Sequence, residues 1–193
     1  MTMISIELHD AKQAYLLKDF VSAKKLLDQV IEGASDSAEE FGARYLRARG
    51  YEDGHFAGGI DLEKAYADYA VLAKAPEIAG SEGLVGRARI LYEWDAVANQ
   101  SEIMTLCDEA AKLGNVKAMM IMGQLNEQVF FDDETARRWY MRAFKSGLPW
   151  GMRYIARSYA RNGCAIRAFF AHLAASLASP FLTLRFGVRS PFH

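Results

Sequence analysis

Apolar residues recur along this chain at intervals of three and four positions, and short polar or glycine-rich stretches interrupt them. That period is typical of amphipathic α-helices. The pattern predicts successive helices over residues 6–17, 20–31, 40–53, 62–74, 82–94, 101–113, 117–128, 134–146 and 149–162.

Residues typical of helix ends support these boundaries. Ser37 precedes Glu40 by three positions, as in a capping box, and Ser81 and Ser101 are also predicted caps. Pro76 and Gly80 are expected to separate two helices. Asp132 and Asp133 suit a helix start because carboxylates complement the positive end of the helix dipole.

A small residue recurs at a comparable place in four of the predicted helices. Gly42, Gly86, Gly123 and Ala156 are separated by 44, 37 and 33 residues. A period in this range indicates stacked helical hairpins, because one hairpin alone cannot bury both of its apolar faces. We expect a larger side chain at Gly86 or Gly123 to push the paired helices apart.

The pattern resembles the Sel1-like repeat family, a branch of the tetratricopeptide-like solenoids, most clearly over residues 118–163. That stretch has Gly123, Ala136, Tyr140, Ala143 and Gly163, and a second copy over residues 38–75 has Gly42, Tyr45, Gly54, Asp61, Ala65, Tyr69 and Ala73. Residues 81–114 look like a degenerate copy, and the N-terminal segment is similar to a plain tetratricopeptide hairpin. The resemblance covers roughly residues 8–163.

The resemblance implies an all-α fold, a right-handed α-α superhelix of about four to five helical hairpins. It also implies a non-enzymatic scaffold or adaptor that binds a protein partner in its concave groove. Family members of this kind serve in signalling, in cell-envelope and polysaccharide assemblies and in host interaction. The resemblance transfers no catalytic residue.

The repeat pattern changes after Gly163, which divides the chain into a predicted repeat domain, residues 1–163, and a tail, residues 164–193. The tail is apolar, but Arg167, His172 and Pro180 interrupt it, which disfavours a membrane-spanning helix. Two interpretations remain: a helix that caps the solenoid, and an element that docks on a membrane or a membrane protein. The cap is favoured because solenoid ends must be covered.

The N-terminus and the cysteines bear on location. The first seven residues have no basic start and include Glu7, so they do not resemble a secretory signal. Cys107 and Cys164 lack metal-type spacing and fit buried thiols in a reducing compartment. We therefore expect a cytoplasmic protein, with a place on the inner face of the membrane as the alternative.

Charge is divided unevenly along the chain. Residues 1–135 carry 24 acidic and 13 basic side chains, a net charge of −11, whereas residues 136–193 carry ten basic and no acidic ones. Such asymmetry indicates a charged partner. The basic residues include Arg137, Arg138, Arg142 and Lys145 on one predicted helix and Arg153, Arg157 and Arg161 at every fourth position of the next.

Three kinds of anionic partner fit this basic end. An acidic protein segment is favoured, and an anionic membrane or membrane protein is open through residues 164–193. Nucleic acid is not expected, because an acidic body counterweights the basic residues. Self-association is also open, since the acidic part of one copy complements the basic part of another.

We predict no catalytic residue, metal site or cofactor. The histidines and cysteines form no known catalytic constellation: His9, His55, His172, His193, Cys107 and Cys164. His55 lies in a glycine-rich loop that lacks the lysine and preceding strand of a phosphate loop. His172 is expected to pack or cap, and Cys107 to be a small core residue.

In related solenoids the first helix of each repeat lines the concave surface, so the candidate partner-binding residues come from those helices and the basic end. They are Arg44, Arg87, Gln124, Asn126, Arg153, Arg157 and Arg161.

Overall fold

The computed structural model describes residues 3–33 and 37–186, and these residues form ten α-helices and no strand. The all-α class is therefore confirmed, while the superhelical arrangement stays a prediction. In chain order the helices are α1 (Met3–Leu16), α2 (Phe20–Gly33), α3 (Ala38–Glu52), α4 (Leu62–Leu72), α5 (Glu77–Asp95), α6 (Gln100–Lys112), α7 (Val116–Gln128), α8 (Asp133–Lys145), α9 (Trp150–Arg161) and α10 (Ala165–Phe186).

The chain divides into two compact units, and the division falls inside α5. The first unit extends to Leu91 and the second begins at Tyr92. The predicted boundary after residue 163 lies within the second unit, where α10 packs against α9.

The first unit contains two hydrophobic clusters. One joins α1, α2 and α3 around Leu27 and Val30, and Phe56 from the loop after α3 completes it. The other joins α3, α4 and α5 around Tyr69, whose side chain is fully buried with Ala48 and Ile90. Burial of these apolar faces holds the helices together.

The core of the second unit has a similar centre. Tyr140 of α8 is fully buried against Met152 and Ile155 of α9, and Ala171 and Ala175 of α10 close the cluster. Consecutive helices from α6 to α10 pack on one another in sequence. One cluster in each unit is therefore centred on a buried tyrosine.

The two glycines predicted to allow close approach do so in the structure. A Cβ atom at Gly86 would overlap the Tyr69 ring, and one at Gly123 would overlap the Tyr140 ring. Gly42 differs, because a Cβ there would meet Leu8 Cδ2 at 3.4 Å, an ordinary contact. Of the three glycines in the repeat pattern, Gly86 and Gly123 are therefore required by packing and Gly42 is not.

Several predicted helix ends are confirmed by their hydrogen bonds. The Ser37 side chain accepts from the Glu40 main-chain N–H at 3.1 Å, and Asp132 accepts from Glu134 and Thr135. Gly163 follows α9 with a φ of 72°, a backbone conformation that favours glycine.

Two predicted starts are wrong. α5 begins at Glu77 rather than near Ser81, because Gly80 is a buried packing residue within the helix, where a Cβ atom would overlap the Ala75 carbonyl oxygen. α6 begins at Gln100 after Asn99, so Ser101 lies inside the helix and is not its cap.

The tail is also more regular than its sequence indicates. α10 runs without a break over residues 165–186, through Pro180, which was expected to divide it. A proline removes one main-chain hydrogen bond from a helix and often kinks it instead of ending it. Residues 187–193 of the predicted tail, His193 among them, lie outside the described residues.

Candidate functional site

Arg44, a predicted partner-binding residue, belongs to an ion-pair network inside the first unit. Its guanidinium donates to Glu40 Oε1 at 2.6 Å and to Asp68 Oδ1 at 3.0 Å. Arg47 joins the same network, donating to both oxygens of Asp68 and to Asp28 Oδ1 at 2.7 Å. Because Asp68 is buried, these arginines neutralise an interior charge, and Arg44 has little capacity left for a partner.

Arg87 is held in a comparable way. Its guanidinium donates to the Tyr66 hydroxyl at 2.9 Å and lies 5.2 Å from the centre of that ring. The contact joins α5 to α4 within the first unit. Arg87 is therefore a packing residue as well as a candidate for binding.

The two predicted residues of α7 face the protein interior. Asn126 is buried and its amide donates to the Met122 carbonyl at 2.8 Å. Gln124 is half-buried, and its amide lies 3.4 Å from the Tyr154 hydroxyl. Asn126 offers a partner almost no surface, so we leave it out of the surface proposed below.

The three arginines of α9 are exposed, but two of them are paired. Arg161 donates to Glu127 Oε1 at 2.6 Å and to Asp133, and Arg157 lies 3.4 Å from Glu127 Oε2. Arg153 stacks 4.5 Å from the centre of the Trp150 ring. Two arginines of the predicted basic face, Arg157 and Arg161, therefore already pair with carboxylates of the same chain.

Glu127 is the residue that organises this end of the second unit, and sequence reasoning missed it. Its side chain is 1% exposed and accepts from the Tyr140 hydroxyl in addition to the two arginines. Burial and the neighbouring carboxylate raise the pKa of Tyr140, so its hydroxyl stays protonated and donates.

An equivalent set occurs in the first unit. Glu52, near the end of α3, accepts from the Tyr69 hydroxyl at 2.9 Å and from Arg89 of α5. A signal for both sets was present in the sequence: a glutamate lies four residues after a small core residue, Ala48 or Gly123, and one buried tyrosine follows on the next helix. The spacing between the small residue and the glutamate can be seen in the sequence, but only the structure shows which tyrosine and arginine contact each glutamate.

The basic residues of α8 line a groove on the second unit. The groove has a volume of about 620 Å³ and is bordered by Arg137, Arg138, Arg142 and Lys145. Met141, Ile155 and Tyr159 supply apolar lining, and Glu134 is the one carboxylate that contributes to it. We call this feature the α8 groove.

The cations of the α8 groove differ in how they are engaged. Glu134 pairs with Arg138, and Arg137 donates to the Ser158 hydroxyl at 2.9 Å while lying 4.9 Å from the centre of the Tyr159 ring. Arg142 stacks on Trp139 at 5.2 Å. Within the described residues, no carboxylate pairs with Arg142 or Lys145, and both are exposed. These two positive charges are available to an anionic group.

The structure shows the surroundings of two of the candidate histidines. His55 stacks on Phe20 at 4.3 Å and shares a hydrogen bond of 3.0 Å with the Tyr15 hydroxyl, which ties its loop to the first hairpin. His172 is exposed, contrary to the expectation that it packs or caps. Among the described residues, no group of three or more His, Cys, Asp or Glu side chains is arranged to hold a metal ion.

The cysteines are free thiols. Cys107 is buried as predicted, and burial raises the pKa of its thiol to about 12, so it carries no thiolate at neutral pH. Cys164 is only partly buried, less than expected.

Over the part of the chain that the structure describes, each helix is too short or too polar to cross a membrane. Comparison with known proteins adds no family: no family model, curated protein or solved structure matches this chain.

Proposed function

We propose that this chain is a non-enzymatic interaction module of the Sel1-like, tetratricopeptide-like kind, whose α8 groove binds an acidic segment of a partner protein. The observation that carries the proposal is the pair of exposed cations, Arg142 and Lys145, that line the groove without a carboxylate partner among the described residues. Opposite charge attracts an anionic segment and sets its orientation.

The dimensions of the groove fit a short peptide. Arg138, Arg142 and Lys145 follow one face of α8, and the seven residue steps from the first to the last correspond to about 10 Å along a helix axis. An extended segment rises about 3.3 Å per residue, so four or five residues pass all three cations. Met141 and Ile155 offer contacts to apolar side chains that alternate with the acidic ones.

An acidic protein segment suits this surface better than nucleic acid. A nucleic acid is a long polyanion, and its affinity comes from many phosphate contacts. The α8 groove presents few cations, and residues 1–135 carry a net charge of −11. A short peptide avoids most of that repulsion.

The test is a binding titration with a labelled peptide of alternating glutamate and leucine, followed by fluorescence anisotropy. We expect Arg142→Glu combined with Lys145→Glu to weaken binding on the order of tenfold, because two attractions become repulsions. A peptide with glutamine in place of glutamate is expected to bind as weakly as the variant binds the acidic peptide.

The matched control changes the same net charge elsewhere. Lys12 and Lys25 are exposed residues of the first unit, and Lys12→Glu with Lys25→Glu alters the total charge equally. The control is expected to keep wild-type affinity. Equal weakening by both double variants would mean that net charge, rather than the α8 groove, attracts the peptide, and tighter binding of a single-stranded oligonucleotide would favour a nucleic-acid function.

A further inference from the structure

The outward face of α10 carries five large apolar side chains that no described residue covers. Ile166, Phe169, Phe170, Leu173 and Leu177 are between 43% and 76% exposed. At 3.6 residues per turn their positions fall within about 100° around the helix axis, so they form a continuous stripe along the helix. We call this the α10 stripe.

The opposite face of α10 is the one that packs on the protein. Ala168, Ala171 and Ala175 are buried against α9, and at 3.6 residues per turn they lie on the side away from the stripe. The helix thus turns its smallest side chains inward and its largest outward. A helix that is apolar on two opposite faces is normally covered on both of them.

Charge indicates what covers the stripe. The 22 residues of α10 include Arg167, Arg185 and no carboxylate, and no acidic residue occurs anywhere after Glu134. Arg167 is exposed and lies between the inward and outward faces by helix geometry, with its guanidinium 5.8 Å from the centre of the Tyr159 ring. The covering surface must therefore combine hydrocarbon with negative charge.

A second copy of this chain meets that requirement poorly. The stripe consists of five side chains on one helix face, whereas each partner in a stable complex buries roughly 800 Å² from about 20–30 residues. Pairing α10 with α10 would also bring two acid-free surfaces together. A bilayer that contains anionic lipids offers acyl chains to the stripe and phosphates to arginine.

We propose that α10 docks this protein onto an anionic lipid surface. The helix lies in the plane of the interface, with the α10 stripe in the headgroup and acyl boundary and Arg167 at the phosphates. The stripe shares no residue with the α8 groove, although Arg167 lies beside Tyr159 of the groove, so either proposal stands without the other.

The test is co-sedimentation of the full chain with vesicles of phosphatidylcholine, alone or mixed with phosphatidylserine. We expect binding to the mixed vesicles, with high salt weakening it. Phe169→Ser combined with Phe170→Ser should reduce binding at least tenfold, since it removes two of the five inserted side chains. Arg167→Glu should reduce it on the order of fivefold on the mixed vesicles and leave any binding to neutral vesicles unchanged.

The control removes two exposed apolar side chains of the same unit that lie outside α10. Leu113→Ser with Phe131→Ser is expected to bind like the wild type, and circular dichroism should show equal helix content in all variants. Failure of the wild type to bind mixed vesicles, or equal binding to neutral ones, would overturn the proposal. So would a concentration-dependent dimer, seen by light scattering, that the Phe169→Ser and Phe170→Ser variant abolishes, because it would identify a second copy as the covering surface.

Discussion

The side chains of Glu52 in the first unit and Glu127 in the second are only 7% and 1% exposed, and both accept from a buried tyrosine, yet their arginines differ. Arg89, which pairs with Glu52, is 29% exposed, whereas Arg161 and Arg157, which pair with Glu127, are 49% and 54% exposed. Arg49, which also pairs with Glu52, is 35% exposed, so the first set is less open to solvent than the second. The second is open at its cationic side.

This difference concerns which cations each unit uses internally, among the described residues, and which it leaves exposed. In the first unit, arginines such as Arg44, Arg47 and Arg89 are drawn inward to neutralise Asp68 and Glu52. In the second unit, Glu127 and Asp133 engage Arg157 and Arg161, while Arg142 and Lys145 of α8, which pair with no described carboxylate, are left for other anions. Partner binding is therefore expected at α8, where cations outnumber local carboxylates.

The largest expected effect comes from neutralising the two glutamates. Glu52→Gln leaves the guanidinium of Arg89 mostly buried without its carboxylate, so it should lower the free energy of unfolding by about 3 kcal/mol. Glu127→Gln should cost about 1 kcal/mol, because water can reach Arg157 and Arg161. Urea unfolding followed by circular dichroism measures both. If Glu127→Gln lowers the free energy of unfolding as much as Glu52→Gln or more, the greater solvent exposure of the arginines around Glu127 does not reduce the cost.

Glycine substitutions test whether the two units share the same close packing. Gly86→Ala and Gly123→Ala each push a Cβ atom into a buried tyrosine ring, which should destabilise by about 1–3 kcal/mol. Gly42→Ala is the matched control, because its Cβ has room and alanine favours a helix by about 1 kcal/mol. Thermal melts of the three variants are expected to show two losses and one neutral or stabilised protein. A destabilised Gly42→Ala would show that the space around the Cβ position does not determine which of these glycines is required for stability.

A smaller effect is expected from acid. The hydrogen bond from Asn162 and the charge of Arg161 hold the pKa of Asp133 below its ordinary value of 3.8, although burial opposes this. For a lowered pKa, the stabilisation is complete above the unfolded value and is lost as pH falls through the folded one. Between pH 5 and pH 2 the wild type should lose about 0.5 kcal/mol more than Asp133→Asn does. Parallel stability curves for the two proteins would show that Asp133 contributes nothing.

Asp28 of the first unit also has a lowered pKa. Burial alone would raise the pKa of Asp28, but hydrogen bonds from Lys24 and Arg47 outweigh burial and lower it. Asp28→Asn should therefore also flatten the acid limb of the stability curve.

Helix positions and close contacts were largely predictable, because they depend on local period and on residue size. Gly86 and Gly123 were identified correctly for that reason, and α5 was misplaced because the glycine and serine inside it resemble a helix boundary. Arg161 and Arg142 were harder to separate. Both lie on basic helical faces, and only the fold shows that Glu127 reaches one of them and no described carboxylate reaches the other. Charge counts identify the basic end but do not assign its partners.

The most direct test of the α8 groove is nuclear magnetic resonance of the isotopically labelled protein during addition of the acidic peptide. The amide signals of residues 137–146 should move most, in proportion to peptide occupancy, while those around Arg44 stay in place. Shifts concentrated on α9 near Arg153, or on the α3 network of Arg44 and Asp68, would contradict the assignment of partner binding to α8.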